Sequence, residues 1–347
     1  MILFAWIGFP QYGARCVDAF VKQSKEKCAV IATRPSVPIE GMERVCSCPV
    51  FWIGETQKVD VVGLIGEMPR VLIVSGWSVP SVNHLRDTVR KAGGRILCGD
   101  DENFVLNFRE VVKAIRFNIL FRRLYDGFFV PGESGVRLMR FFGVPEKRIY
   151  EGFYSADPGL FYSSKSILDR PKRILFVGQI IKRKNILPFA EAFLSIAEDI
   201  RKDWELEICG SGELEPELAL LGRENPSLIV HSFVQPEQLA ELYREARFFA
   251  LPSLEEHWGL VVHEGALSGC VLLVSKQIGA NDDFVTEENS CLFDARDFNS
   301  MKYAIEKALK MTDNQLLAAS AKSLEMSKNA SLEKFVDGIN RFLAFVG

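Results

Sequence analysis

Histidine is scarce in this chain, with four among 347 residues, and none stands near a cysteine pair. Cys46 and Cys48 form the one close pair among eight cysteines, and no second pair with histidines completes a zinc site. The rest are scattered. Cys98, Cys209 and Cys270 fall in or beside apolar runs, where a thiol behaves as a small core residue, so reduced cysteines in a cytoplasmic protein are expected. A strong excess of one charge is also missing: the net charge is -3. That argues against nucleic acid as a partner, which calls for a strongly basic face. No apolar run approaches the roughly 18–20 residues that span a bilayer. Residues 1–7 lack a basic leader and a cleavage site, and read as a first strand rather than a signal peptide. Internal repeats and low-complexity segments are absent. So is Gly-x-Gly-x-x-Gly after the first strand, because Gly8 and Gly13 have the wrong spacing, and a nicotinamide cofactor is not expected.

What the chain does have is length for two domains and an apolar content of 48% to fill their cores. The small net charge hides an asymmetry. Residues 1–165 carry an excess of about five positive charges, and the remainder an excess of about eight negative ones. Apolar runs at 2–7, 28–32, 71–74, 96–98 and 128–130 alternate with helical patterns at 14–25, 82–92 and 103–124. The alternation predicts a parallel sheet with helices on both faces, and such sheets bind ligands at the carboxyl ends of their strands. A second series follows from 173 onward, with strand-like runs at 173–178, 204–209, 228–233, 248–251 and 269–275.

The most informative stretch is 252–266, Pro-Ser-Leu-Glu-Glu-His-Trp-Gly-Leu-Val-Val-His-Glu-Gly-Ala. It lies between a strand-like run and a predicted helix, and sets Glu256 and Glu264 around Gly259. Free N–H groups where that helix starts are suited to a phosphate, and each carboxylate to a vicinal diol. The stretch resembles the Glu-x7-Glu signature of retaining glycosyltransferases of the GT-B fold, in particular family 4 (glycosyl transferases group 1). The resemblance extends over roughly 129–345. It includes Gly178 with Lys184, Gly210-Ser-Gly212, and the run Tyr154-Ser-Ala-Asp-Pro-Gly-Leu-Phe161.

That resemblance implies two Rossmann-like domains facing across a cleft. The N-terminal, acceptor-side domain is expected at 1–165 and the nucleotide-sugar domain at 166–330. A helix at 331–347 would return to the first domain, with Phe335, Ile339, Phe342 and Leu343 as its docking stripe. The implied reaction moves a sugar from a nucleotide-diphosphate donor to a saccharide, lipid-linked or other hydroxyl acceptor with retention, in polysaccharide or glycoconjugate synthesis. Lys184 and Arg183, with the amides of Gly259, Leu260 and Val261, would stabilise the departing diphosphate. Glu256 is expected to take sugar hydroxyls and Glu264 the ribose diol. Gly178, Gly210, Val234 and Trp258 would line the donor, with Gly13 as a weaker candidate from the first domain. No Asp-x-Asp element is present, so no metal or other cofactor is expected.

The sequence departs from the family at several places. Gln179 and Asn185 replace an arginine and a glycine, and the loops closing the strands at 71–74 and 96–98 hold no histidine. Asp100 or Asp101 is the candidate in its place, although Asp-Asp-Glu-Asn also makes a good helix start. The departures keep two alternatives open: a degenerate scaffold or sugar-binding partner, and another GT-B enzyme such as a nucleotide-sugar epimerase or a phosphorylase. The helical pattern at 103–124 interleaves Arg109, Lys113, Arg116, Arg122 and Arg123 with apolar residues. We expect it to pack on the sheet, with peripheral contact to the inner face of a membrane as the other reading.

Overall fold

The computed structural model describes residues 1–105 and 108–347, which form two compact units. The first comprises Met1–Ser155 and Ala330–Gly347, the second Ala156–Asn329. The expected boundary at 165 therefore moves. The segment after Ser155 is tied into the second unit: Arg244 donates to the carbonyls of Leu160 and Tyr162, and Arg247 to those of Leu168 and Arg170.

The first unit holds a seven-stranded parallel sheet of order β3-β2-β1-β4-β5-β6-β7. Its strands are β1 (Ile2–Trp6), β2 (Cys28–Ala32), β3 (Val50–Trp52), β4 (Val71–Val74), β5 (Arg95–Gly99), β6 (Gly127–Val130) and β7 (Ile149–Glu151). In the second unit six parallel strands run β10-β9-β8-β11-β12-β13. These are β8 (Arg173–Val177), β9 (Glu205–Cys209), β10 (Leu228–His231), β11 (Phe248–Leu251), β12 (Val271–Ser275) and β13 (Ser290–Phe293). Inner strands such as β1, β2 and β11 are buried throughout, which is why they read as unbroken apolar runs. The runs did not predict β3, β7 or β13. Each is an edge strand of three or four residues, too short to carry a period.

Both units are thus Rossmann-like, as expected, and the C-terminal helix Leu332–Val346 belongs to the first. Phe335 packs on Phe129 with ring centroids 5.4 Å apart, and Phe342 meets Tyr150 edge-on at 5.6 Å. Leu343, expected in the docking stripe, is only half-buried.

The helix Phe108–Leu120 differs from expectation. Of the pattern predicted at 103–124, residues 106 and 107 lie outside the described residues. The helix does pack through Phe117, which touches Phe128 and Phe142. Its other face, however, leaves Phe108 81%, Ile115 57% and Ile119 73% exposed, with Val112 also exposed between them. Spacings of four, three and four residues put these four side chains on one apolar stripe turned to solvent.

Candidate functional site

In the second sheet, β8 and β11 are neighbours from which the strand order runs in opposite directions. Ligands of open α/β sheets bind at such a switch point, beyond the carboxyl ends of the strands. Two loops leave there. The loop after β8 makes a 3-10 turn, Lys182–Lys184, and ends on Asn185 in the left-handed region (φ 57). Asn is among the residues that tolerate this conformation, and here its Nδ2 donates to the Ala295 carbonyl at 2.8 Å. The loop after β11 is stitched to it by Leu254 N–H donating to the Arg183 carbonyl at 2.9 Å.

This stitching brings Lys184 and Glu256 into a buried ion pair, with Lys184 Nζ donating to Glu256 Oε2. Ser253 Oγ donates to the same oxygen at 3.1 Å, and Arg183 Nη1 lies 3.4 Å from it while donating to the Glu255 carbonyl at 2.8 Å. Burial works against both charges. For Lys184 it wins and lowers the ammonium below the usual lysine range, with Glu256 opposing. For Glu256 burial pushes upward, but Lys184, Arg183 and Ser253 together outweigh it and hold the carboxyl below its ordinary value.

Gly259 follows in the left-handed region (φ 91) and caps the helix Leu260–Leu267. A Cβ there would sit 3.1 Å from Ile278 Cγ2 and 3.2 Å from Glu256 Cγ, so glycine suits both the conformation and the space. The first amides of this helix, those of Leu260 and Val261, have no carbonyl one turn behind them and are directed at whatever lies before the helix. Trp258 is buried edge-on against Phe284, with its indole Nε1 unpartnered among the described residues.

Glu264 lies in the second turn of the helix and is also buried. The Tyr243 hydroxyl donates to its Oε2 at 2.8 Å. Burial raises the carboxyl to about 7 despite that bond. His263 beside it is neutral at physiological pH, since burial depresses its imidazole to about 4. Its Nδ1 accepts from Ala156 N–H at 3.1 Å and its Nε2 donates to the Ser327 carbonyl at 2.8 Å.

The remaining donor-side candidates line the same edge of the sheet. Gly178 directly follows β8, and Gly210 directly follows β9 next to it. A Cβ on Gly210 would lie 1.8 Å from the Gly178 carbonyl oxygen, so these loops can touch only with glycine there. Val234 is half-buried in the loop after β10, the edge strand beyond β9.

Asp100, Asp101 and Gly13 belong to the first unit. Gly13 lies inside the helix Gln11–Gln23 rather than in the loop before it, and a Cβ would sit 3.0 Å from Trp6 Cζ2. Close helix–strand packing accounts for this glycine. Asp100, at the carboxyl end of β5, is buried; its Oδ1 accepts from Glu102 N–H at 2.9 Å, while Oδ2 has no partner among the described residues. Burial first, and then the neighbouring Glu102 and Asp101, raise it to about 7. Asp101 accepts from the Tyr154 hydroxyl at 3.4 Å.

Sequence reasoning missed Tyr243 and Ser253. Tyr243 looks like an ordinary core aromatic of the helix Pro236–Glu245, and nothing in its spacing points to Glu264. Among the described residues, no group of three or more His, Cys, Asp or Glu is placed to hold a metal ion.

Residues 162–331 match the family model described as Glycosyl transferases group 1, so the second unit carries such a domain. An uncharacterized glycosyltransferase of Methanocaldococcus jannaschii is 28% identical over 152 residues, covering 43% of this chain and 38% of that protein. A 2-deoxystreptamine N-acetyl-D-glucosaminyltransferase of Niallia circulans is 26% identical over 153 residues, with the same coverage of 43% and 38%. The matched part is thus well under half the length of either relative. Among solved structures, Anabaena Alr3699/HepE in complex with UDP and glucose superposes with a TM-score of 0.76 over 99% of both chains, at 12% identity. Sucrose-phosphate synthase from Thermosynechococcus elongatus gives 0.73 at 14% identity, over 100% of this chain and 99% of that one. The fold is GT-B, as expected.

Proposed function

We propose that this chain, with its Glycosyl transferases group 1 domain over 162–331, is a retaining glycosyltransferase. It would move a sugar from a nucleotide-diphosphate donor to a hydroxyl of a saccharide, lipid-linked or other acceptor. The observation that carries the reading is the Lys184–Glu256 pair, held at the β8/β11 switch point beside the exposed start of the helix Leu260–Leu267. One anionic and one cationic group next to free amides suit a ligand that presents both hydroxyls and a diphosphate.

In this reading the bond from the sugar's anomeric carbon to the diphosphate oxygen breaks, and its electron pair stays on the diphosphate. Lys184, Arg183 and the amides of Gly259, Leu260 and Val261 stabilise that charge without a metal. The acceptor oxygen attacks from the face the diphosphate leaves, its proton passing to the Asp100 carboxylate, and the configuration is retained. Glu256 accepts sugar hydroxyls, Glu264 the ribose diol, and Asp100 with Asp101 belongs to the acceptor side. The complexes of Anabaena Alr3699/HepE with UDP and with UDP-glucose support a nucleotide-sugar donor.

We place the enzyme in the cytoplasm, in polysaccharide or glycoconjugate synthesis and in the hexosyltransferase class. One solved structure of the same fold, WaaG, is described as acting in lipopolysaccharide biosynthesis. Peripheral attachment to the inner face of a membrane is supported by the solvent-facing apolar stripe of Phe108–Leu120 with Arg109, Lys113 and Arg116 around it. No described helix is long and apolar enough to cross a membrane.

The test is a thermal-shift panel of nucleotides and nucleotide sugars, followed by product analysis with the binding donor. A ligand that binds the folded state alone raises the melting temperature. Donor binding with transfer bears the proposal out. Donor binding without transfer to any acceptor would favour the sugar-binding partner, and no binding would defeat the enzyme reading and favour the scaffold.

A further inference from the structure

The second charged cluster of the molecule lies in the first unit, at the amino ends of its strands. Loops that carry chemistry in this fold leave the carboxyl ends, so this cluster is on the opposite edge of the sheet from Gly8, Ser75 and Asp100. It lines an open pocket of about 990 Å³. Arg95 opens β5, Asp126 precedes β6, Arg148 precedes β7, and Arg90 sits in the last turn of the helix Pro80–Lys91. Arg122 and Arg123 come from the turn after the helix Phe108–Leu120. Asp126 is the sole carboxylate among the lining side chains.

The charges do not cancel. Asp126 serves Arg95 at 3.3 Å and Arg90 at 3.7 Å, and also accepts from the Ile96 amide at 2.9 Å. Arg148 is engaged by backbone: its guanidinium donates to the carbonyls of Asp126 and Arg122 at 3.0 and 3.1 Å, and to that of Tyr125. Burial and the nearby Arg122 and Arg90 lower its affinity for its proton. Among the described residues the Arg122 guanidinium reaches only the Asn118 side-chain oxygen, at 2.9 Å, and Arg123 is exposed. A structural role explains Arg148, Arg95 and Arg90. It leaves Arg122 and Arg123 facing a pocket that is already positive.

We propose that this pocket is a binding site for a phosphate or diphosphate group, with Arg122 and Arg123 as its ligands. Guanidinium forks match phosphate oxygens two at a time, and a concave site concentrates the field that attracts them. The volume suits one small phosphorylated molecule or one phospholipid headgroup, whereas a nucleic acid would need a longer basic stripe. The site is separate from the Lys184 loops and does not depend on the glycosyltransferase reading.

Two measurements on the full-length chain test it, each comparing the parent with Arg122→Ala/Arg123→Ala. Calorimetric titration with inorganic pyrophosphate is done in a Lys184→Ala background, so that the loops after β8 and β11 contribute little. Sedimentation with phosphatidylcholine vesicles, with and without phosphatidic acid, is done on the unaltered background. Equal melting temperatures confirm folding, and Arg122→Lys/Arg123→Lys, which keeps charge but loses the fork, should fall between. An about tenfold loss of pyrophosphate affinity in the alanine variant supports a site for a free phosphorylated ligand. Arginine-dependent sedimentation confined to phosphatidic acid vesicles supports a headgroup site. If neither binding depends on these arginines, the proposal is overturned.

Discussion

Lys184 and Glu256, 72 residues apart in sequence, meet as a buried ion pair between two loops of one sheet edge. Each is the other's main compensation for lost hydration. Removing one partner of such a pair exposes the other to the full cost of burial, typically about 3 kcal/mol or more. Lys184→Ala should therefore lower stability by roughly 3 kcal/mol as well as depress turnover. Lys184→Met with Glu256→Gln should recover most of that stability and none of the turnover. Chemical denaturation and a transfer assay on the three variants check both parts. Full activity of Lys184→Ala would remove it from the phosphate site.

Glu264 and His263 are adjacent, and their titrations oppose each other. Glu264 has its folded value raised from 4.5 to about 7, so between these the native state holds more protons and its stability falls as pH rises. His263 has its folded value lowered from 6.5 to about 4, so the unfolded state holds more protons and stability is lost as pH falls through that window. Each effect is worth roughly 3 kcal/mol at 1.36 kcal/mol per pH unit. They largely cancel between pH 4.5 and 6.5. Glu264→Gln should unmask a loss of stability on acidification, and denaturation midpoints across this range would reveal it. A flat profile in the variant would contradict these titrations.

The same raised carboxyl predicts how donor binding follows pH. Only ionised Glu264 accepts two hydrogen bonds from a diol. Donor affinity should increase as pH rises through 7, and Glu264→Gln should bind weakly with no such rise. Unchanged donor affinity in this variant would refute the ribose assignment.

Asp100 combines a buried oxygen that has no partner among the described residues with a raised proton affinity at a carboxyl strand end. Asp100→Asn should slow turnover by about a hundredfold or more if the carboxylate takes the acceptor's proton. The donor-induced thermal shift should remain. Turnover like the parent's would return Asp100 to a structural role.

Gly210→Ala places a methyl group 1.8 Å from the Gly178 carbonyl oxygen, so one of the two loops must move. Stability should fall by roughly 2 kcal/mol or more, and donor affinity should fall with it. Denaturation and ligand titration would read the two losses separately.

Membrane attachment is tested on the helix Phe108–Leu120. Ile115→Asp/Ile119→Asp should reduce sedimentation with anionic vesicles without lowering the melting temperature, because both side chains already face solvent. Vesicle binding equal to the parent's would exclude this face.

The sequence alone determined the class of fold and singled out the stretch around Gly259 as the candidate site. Buried parallel strands must be apolar on both faces, so β1, β2, β4, β8 and β11 are visible as runs, and Gly259 between two glutamates marks a helix start. It could not place edge strands as short as β3, β7 and β13, nor the unit boundary at Ser155, which depends on Arg244 and Arg247 reaching back from a distant part of the chain. Tertiary structure alone decided that Lys184 pairs with Glu256 and that Tyr243 holds Glu264. It also decided that Asp100 is buried, that Gly13 serves packing, and that Ile115 and Ile119 face water. Each is a relation between elements that the strand order, rather than local sequence, brings together or leaves apart. Hydrophobic period and glycine placement are local signals; proton affinity and pairing depend on what the fold sets alongside.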